Sequence, residues 1–284
     1  MNPAASGRGA VARVIERAAA LAVPRSAVVV TTGEEHFDAE ARSAVAGGVS
    51  RLVVVGGDGT VHRVLAPLSG SRTALGIVPA GTGNDLAGAL GIHGGPDRTL
   101  ERALGGTPRR IDLGEVEGRL FAGTAGIGFD GEVARRVRTS PVRRIGSLAY
   151  ALSALAALGS FVPPRVEVEF DGGRIADRVM FVVLANSPRF GGGMRIAPDA
   201  SLDDGRFDLV FVRRVGRFDL VRTLPKVYAG RHVDHPAVDI HRTETARITV
   251  ERPATVWGDG EPILSVREGS IEFRIRPAAL SVAV

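Results

Sequence analysis

Cysteine is absent from this 284-residue chain, which excludes a disulfide framework and any thiolate-held metal and fits a reducing compartment. Aromatic residues are scarce, at 5%, too few for base-stacking platforms. No helix-turn-helix or RNA-recognition pattern accompanies them, so nucleic acid is not expected as a partner. The opening residues MNPAASGRGA hold no continuous apolar run of the kind a secretory signal needs, so the protein is expected to stay inside the cell. One stretch, residues 145–162, carries no charge over 18 positions. As a helix it would reach only about 27 Å, it is diluted by alanine, glycine and serine, and Leu148, Leu152 and Leu155 share one helical face. A packed helix is the better reading than a membrane span. The six histidines lack metal-type spacing: His232 and His235 flank Asp234, but a proline follows and the setting is loop-like. No Gly-x-Ser-x-Gly elbow is present either, which leaves nucleophilic hydrolases without their central feature.

What is present begins with size and charge. A chain this long with 44% hydrophobic residues can bury a sizeable core, near the length at which single cores divide, and two domains are expected. The net charge of +5 is carried almost wholly by arginine, and suits a surface that meets phosphate groups as well as an ordinary solvated one. Arg135, Arg136, Arg138, Arg143 and Arg144 cluster just before the uncharged stretch and could rest on anionic headgroups. In the first half, short β-branched runs at 28–30, 52–55 and 75–78 alternate with helical patterning at 34–46 and 61–68, which predicts a parallel, doubly wound sheet. After Asp112 the runs at 165–170, 179–184, 207–212, 246–250 and 270–275 recur without long helices between them, as in an antiparallel β-sandwich.

The strongest local signal is Gly56-Gly57-Asp58-Gly59-Thr60, directly after an apolar strand. Glycines there let main-chain N–H groups approach phosphate oxygens, the following helix directs its positive end at them, and Asp58 supplies a carboxylate for a phosphate-bound Mg²⁺. A second turn, Pro79-Ala80-Gly81-Thr82-Gly83-Asn84-Asp85, follows the next strand and repeats that logic. Ligands of open α/β sheets gather at the carboxyl ends of the strands, so the two turns would wall one site.

GGDGT followed by PAGTGND resembles the diacylglycerol kinase-like lipid kinases, which include bacterial diacylglycerol kinase and sphingosine kinase. Further matches are Asn2-Pro3 with Ser6-Gly7, Gly126-Ile127-Gly128-Phe129-Asp130, residues 191–196, Pro198-Asp199-Ala200, Leu202-Asp203-Asp204-Gly205 and Gly258-Asp259-Gly260-Glu261. The resemblance implies an N-terminal NAD kinase/phosphofructokinase-like α/β domain over 1–112, rejoined by 276–284, and a C-terminal antiparallel β-sandwich over 113–275, with the active site between them. It implies an ATP- and Mg²⁺-dependent kinase acting on a lipid hydroxyl, with diacylglycerol the default substrate. The alternatives are an NAD kinase-like phosphotransferase and an inactive nucleotide- or lipid-binding module.

By the same resemblance ATP would meet Asn2, Ser6, Gly7, Thr32, Gly56, Gly57, Asp58, Gly59, Thr60, His62, Gly81, Thr82, Gly83, Asn84 and Asp85. Glu261, with Asp259 next in order, would accept the hydroxyl proton, although Gly-Asp-Gly alone would also make a hairpin turn. Ser201, Asp204 and Arg206 would hold a structural magnesium, two of them through main-chain carbonyls. The implied setting is cytoplasmic, at the inner face of the membrane, in contact with an anionic surface; a homodimer is possible, but the sequence leaves the oligomeric state open. Two departures stand out. No apolar strand of the kind family members carry precedes the Asn-Pro motif in this sequence, so either the start is placed too late or the sheet has one strand fewer, and His62-Arg63 replaces an asparagine and a glutamate, reversing a charge expected near the phosphates.

Overall fold

A computed structural model describes residues 8–128 and 161–284. The chain forms two compact units, one within Met1–Asp112 and Pro277–Val284 and the other within Leu113–Arg276.

In the first unit α1 (Arg8–Ala20) and α2 (Glu34–Ala46) precede β1 (Arg51–Gly56), α3 (Asp58–Leu68), β2 (Ala74–Pro79), α4 (Asp85–Ala89) and α5 (Pro96–Gly105). β1 and β2 run parallel from Arg51 opposite Ala74 to Gly56 opposite Pro79. The last strand of the chain, β13 (Gly269–Ala283), returns to set Val282 beside Leu75, again parallel. β2 is buried along five successive residues, as a strand covered on both faces must be, and its run of apolar residues has no polar alternation for that reason. Val14 and Ala18 of α1 and Leu100 and Ala103 of α5 close on Val55 and Val78. α3 buries Thr60, Val61, Val64, Leu65 and Leu68, one helical face.

The run at 28–30 forms no strand, although Val28 is extended, and Val29 and Val30 are 38% and 43% exposed. β-propensity describes how well a residue fits a ladder that neighbouring strands supply; it does not create the ladder.

The second unit is antiparallel. β7 (Gly173–Ala185) is shared by two layers: Gly173 to Arg178 pair with β6 (Arg165–Phe170), while its later residues pair with β8 (Phe207–Arg213) and β5 (Thr124–Gly128). A register shift between Val179 and Phe181 marks the change, since a bulge re-aims a strand. β10 (Thr245–Val250) continues the first layer between β6 and β13. β9 (Val238–Thr243), β11 (Ala254–Gly258) and β12 (Glu261–Val266) extend the second. Phe121, in β4 (Arg119–Phe121), stacks on Phe207 at 5.7 Å and meets Phe273 edge-on at 6.4 Å in the core between the layers. β4 pairs with β3 (Pro108–Val116).

The segments between the later strands are not all short: α6 (Arg217–Tyr228) stands between β8 and β9, a helix the expectation of a strand-only texture omits. Its outward positions carry apolar residues, which blurs the polar face by which a surface helix is recognised. Among the described residues no helix is long and apolar enough to cross a membrane.

Candidate active site

The first glycine turn is as short as a strand-to-helix turn can be. β1 ends at Gly56, α3 begins at Asp58, and Gly57 alone joins them with extended backbone (φ −100°, ψ −167°). The Gly57 carbonyl accepts the N–H groups of Thr60 and Val61 at 3.0 and 3.1 Å, which starts the helix. One strand over, the Ala80 N–H donates to the Gly56 carbonyl at 2.9 Å and ties the two strand ends together. A β-carbon added to Gly81 would lie 2.5 Å from the Gly57 Cα, and one added to Gly57 would lie 2.9 Å from the Gly81 Cα. The two turns therefore touch main chain to main chain, a contact only glycine on both sides permits.

Two carboxylates border this contact. A β-carbon on Gly83 would sit 2.7 Å from the Asp58 Oδ2 and 3.7 Å from the Asp85 Oδ2. Thr82 and Gly83 form an exposed crest, while Asp58 and Asp85 are half-buried beneath it. Asn84 holds the crest in shape: it adopts the left-handed conformation (φ 53°, ψ 42°), accepts the Gly81 N–H at 3.0 Å and donates to the Gly81 carbonyl at 2.8 Å. Its side-chain amide thus acts on its own turn, an Asx-type closure. The arrangement combines paired hard oxygen donors, close-lying main chain and the N-terminus of an 11-residue helix, at the carboxyl ends of two parallel strands. That is suited to a phosphate chain with a divalent cation.

The other residues expected here fall in several places. Thr60 is 4% exposed, and a β-carbon on Gly56 would come within 2.3 Å of its Oγ1, so this threonine locks α3 under the strand end. Gly59 and His62 are half-buried in the first turns of α3. Thr32 is exposed, and its N–H and hydroxyl lie 3.3 and 3.2 Å from His36 Nδ1. Asn2, Ser6 and Gly7 lie outside the described residues, as do Phe129, Asp130, the arginine cluster at 135–144 and nearly all of 145–162.

Arg63 does not act as a reversed charge. Its Nε and Nη2 reach Asp38 at 2.8 and 2.7 Å, and its Nη1 reaches Glu34 at 2.8 Å. The hydrogen bond to Asp38 contributes most to raising the guanidinium pKa above its usual value. The positive charge is matched by two carboxylates of α2, and the bidentate geometry clamps α2 to α3.

In the second unit, Asp259 and Glu261 have different employments. Asp259 (φ 53°) and Gly260 (φ 84°) form a two-residue hairpin turn between Gly258 and Glu261, both left-handed as a type I′ turn requires. The Asp259 carboxylate accepts the N–H groups of Ala122 and Gly123 at 2.8 Å each and of Thr124 at 3.2 Å. Its own N–H donates to the Thr124 carbonyl at 3.0 Å. Asp259 therefore joins the β11–β12 turn to the start of β5. Asp259→Ala is expected to cost about 2–3 kcal/mol, because three partly buried donors lose their acceptor. Asp259→Asn should cost less, since it keeps one oxygen acceptor and tolerates positive φ. Urea unfolding of both variants checks the order. Glu261 is half-buried at the first position of β12.

The turn at 201–206 is rich in oxygen. Ser201 Oγ donates to Asp203 Oδ1 at 2.8 Å, the Arg206 N–H donates to Asp204 Oδ1 at 3.1 Å, and Arg242 pairs with Asp204 Oδ2. Asp208, 6% exposed on β8, is a residue the sequence reading passed over as part of an apolar strand. Burial pushes its pKa up to about 6, with Asp204 and Asp199 adding to the rise and Arg242 opposing it. Among the described residues no group of three or more Asp, Glu or His side chains is placed to hold a metal. Any ion at this turn would thus depend on main-chain carbonyls. His232 is buried with its Nε2 3.0 Å from the Ile196 carbonyl, and burial lowers its pKa. That is a core histidine.

The model of the diacylglycerol kinase catalytic domain matches residues 1–116, and that of the YegS C-terminal NAD kinase beta sandwich-like domain matches residues 123–284. The chain belongs to the diacylglycerol kinase and YegS-like lipid kinase family. Among curated relatives, a diacylglycerol kinase of Mycobacterium tuberculosis (strain H37Rv) is 32% identical over 292 residues, covering 98% of this chain and 91% of that protein. A diacylglycerol kinase of Bacillus subtilis is 33% identical over 217 residues, covering 74% and 70%. A probable lipid kinase YegS-like protein of Pseudomonas aeruginosa is 33% identical over 249 residues, covering 84% and 78%. In fold, this chain is similar to the crystal structure of a putative diacylglycerol kinase from Bacillus anthracis, with a TM-score of 0.81. The match has 20% identity and covers 99% of this chain and 94% of that one.

Proposed function

We propose that this protein transfers the γ-phosphoryl group of ATP to the hydroxyl of a membrane lipid, with diacylglycerol the default acceptor, from the cytoplasmic side of the membrane. The observation that carries the proposal is the contact of the two glycine turns at Gly57 and Gly81, with the carboxylates of Asp58 and Asp85 bordering Gly83. The donor set there is hard oxygen, which fits Mg²⁺. When bound, the ion would spread the charge of the β- and γ-phosphates.

In the proposed reaction the lipid hydroxyl oxygen bonds to the γ-phosphorus and the bond from that phosphorus to the β,γ-bridging oxygen breaks, leaving ADP. The proton of the hydroxyl passes to a carboxylate, for which Glu261 is proposed, since the Asp259 oxygens already accept three main-chain N–H groups. Asp58 is proposed to hold Mg²⁺ directly or through water, and the exposed crest of Thr82 and Gly83 to lie along the phosphates. A second, structural Mg²⁺ is proposed at the 201–206 turn, on the Asp204 carboxylate and the carbonyls of Ser201 and Arg206. The turn gathers oxygen donors, since Ser201 Oγ, Asp203 and Asp204 lie together there, and Arg242 pairs with the Asp204 carboxylate.

The test uses purified full-length protein and γ-labelled ATP with vesicles that carry diacylglycerol, ceramide, sphingosine or phosphatidylglycerol, and NAD in a parallel reaction. Label is expected in phosphatidic acid. Formation of NADP without labelled lipid, or ATP binding without turnover on any acceptor, would overturn the proposal.

A further inference from the structure

α6 has two apolar faces, and among the described residues only one of them is packed. On its inner side Val227, with Val215 just before the helix, packs against the cluster that contains Met180, Ile196 and Val210. Phe218 precedes Val227 by nine residues, about two and a half turns at ~3.6 residues per turn, and so points the opposite way. Phe218 is 82% exposed, and Val221, one turn further on the same stripe, is 46% exposed. Pro225 extends the stripe and is exposed as well. Single apolar residues on a surface need no explanation, but a helical row centred on a nearly bare phenylalanine marks a contact surface.

The rim of this row is positive. Arg222 and Lys226 are exposed beside it, and Arg214 and Arg231 are exposed just before and just after the helix. Of the two nearby acids, Asp219 faces His235 at 3.1 Å and Asp234 lies beyond the helix. An apolar row flanked by cations suits the boundary between acyl chains and anionic headgroups: the ring and the valine enter the hydrocarbon edge while the long cationic side chains meet phosphates. A second copy of the chain suits it less, because a two-fold contact centred on this row would set the arginines and the lysine of one copy against those of the other.

We infer that α6 is a docking helix that lies on an anionic phospholipid surface through Phe218 and Val221, with Arg222 and Lys226 on the headgroups. The inference deepens the lipid-kinase reading and rests on it for the choice of a membrane as partner. The docking itself requires no catalysis.

Sedimentation of the full-length protein with vesicles of phosphatidylcholine, with and without phosphatidylglycerol, tests it. The protein is expected to bind the anionic vesicles and to lose them as salt rises. The double variant Phe218→Ala/Val221→Ala should bind about tenfold more weakly. Arg222→Gln/Lys226→Gln should lose the preference for phosphatidylglycerol. Both variants should keep the wild-type thermal midpoint, because the altered side chains are exposed, and the wild-type rate on a short-chain diacylglycerol dissolved without vesicles. Vesicle binding that is equal in wild type and variants overturns the inference. So does self-association of the wild type that Phe218→Ala/Val221→Ala abolishes. If no lipid is phosphorylated but the variants still lose vesicle binding, the kinase reading fails and the docking helix stands.

Discussion

Asp58→Ala is expected to lower the rate of lipid phosphorylation by about 10³-fold while leaving the fold in place. Phosphoryl transfer needs little covalent help from the protein; position and charge neutralisation supply most of the acceleration. Removal of one such electrostatic contact costs about 10²–10³-fold in well-studied sites, and a residue that also anchors the metal belongs at the upper end or beyond. A 10³-fold loss corresponds to about 4 kcal/mol of transition-state stabilisation. The cost in stability is far smaller: Asp58 is the acidic residue of the first turn of α3, and such a charge contributes about 0.3–1 kcal/mol through the helix dipole. Asp58→Asn should fall nearly as far in rate, since it keeps an oxygen but loses the charge. Initial rates across a series of Mg²⁺ concentrations, with circular dichroism melts in parallel, separate the two effects. A variant that retained activity within threefold would remove Asp58 from the metal site.

Gly81→Ala is expected to damage both activity and stability, whereas Gly83→Ala should damage activity alone. At Gly81 the new methyl group meets main chain, the Gly57 Cα at 2.5 Å and the Gly57 N at 3.3 Å. Neither turn can yield without moving a strand end, so a penalty of about 1–3 kcal/mol, the usual range for overpacking, is expected. Displacing the two turns should also lower kcat/KM for ATP by about 10²-fold, because misplacement of reacting groups by about an ångström carries that cost. At Gly83 the obstacle is the end of a side chain, the Asp58 Oδ2 at 2.7 Å, which can rotate away. The carboxylate then leaves its place with little strain on the backbone. Urea midpoints and steady-state kinetics on both variants provide the comparison, and equal loss of stability in the two would show that the turns do not touch as described.

Those two glycines also show where reading a chain stops. GGDGT and PAGTGND each describe a strand end, a bend and a helix start, and these were legible because every interaction that shapes them is local: Gly57 caps the helix that begins at the next residue, and Asn84 closes on Gly81 three residues away. The contact between the turns is a property of β1 and β2 lying side by side. No spacing rule states that Gly57 and Gly81 must meet. The same holds for Asp259: local pattern gives a hairpin turn, and only the fold brings its carboxylate to the main-chain N–H groups at 122–124. Arg63 looked like a misplaced charge until α2 brought Asp38 and Glu34 to it.

Composition and periodicity determined the class of each half. Apolar runs that alternate with helical patterning mark the parallel sheet of the first half, apolar runs that recur without long helices between them mark the antiparallel second half, and both patterns are written in neighbouring residues. Tertiary structure alone decided whether a given apolar run would be used. The valines at 28–30 have the propensity for a strand and do not form one, and Phe218 has the character of a core residue and stands 82% exposed. Burial depends on which surfaces arrive from elsewhere in the chain, and a side chain carries no record of them.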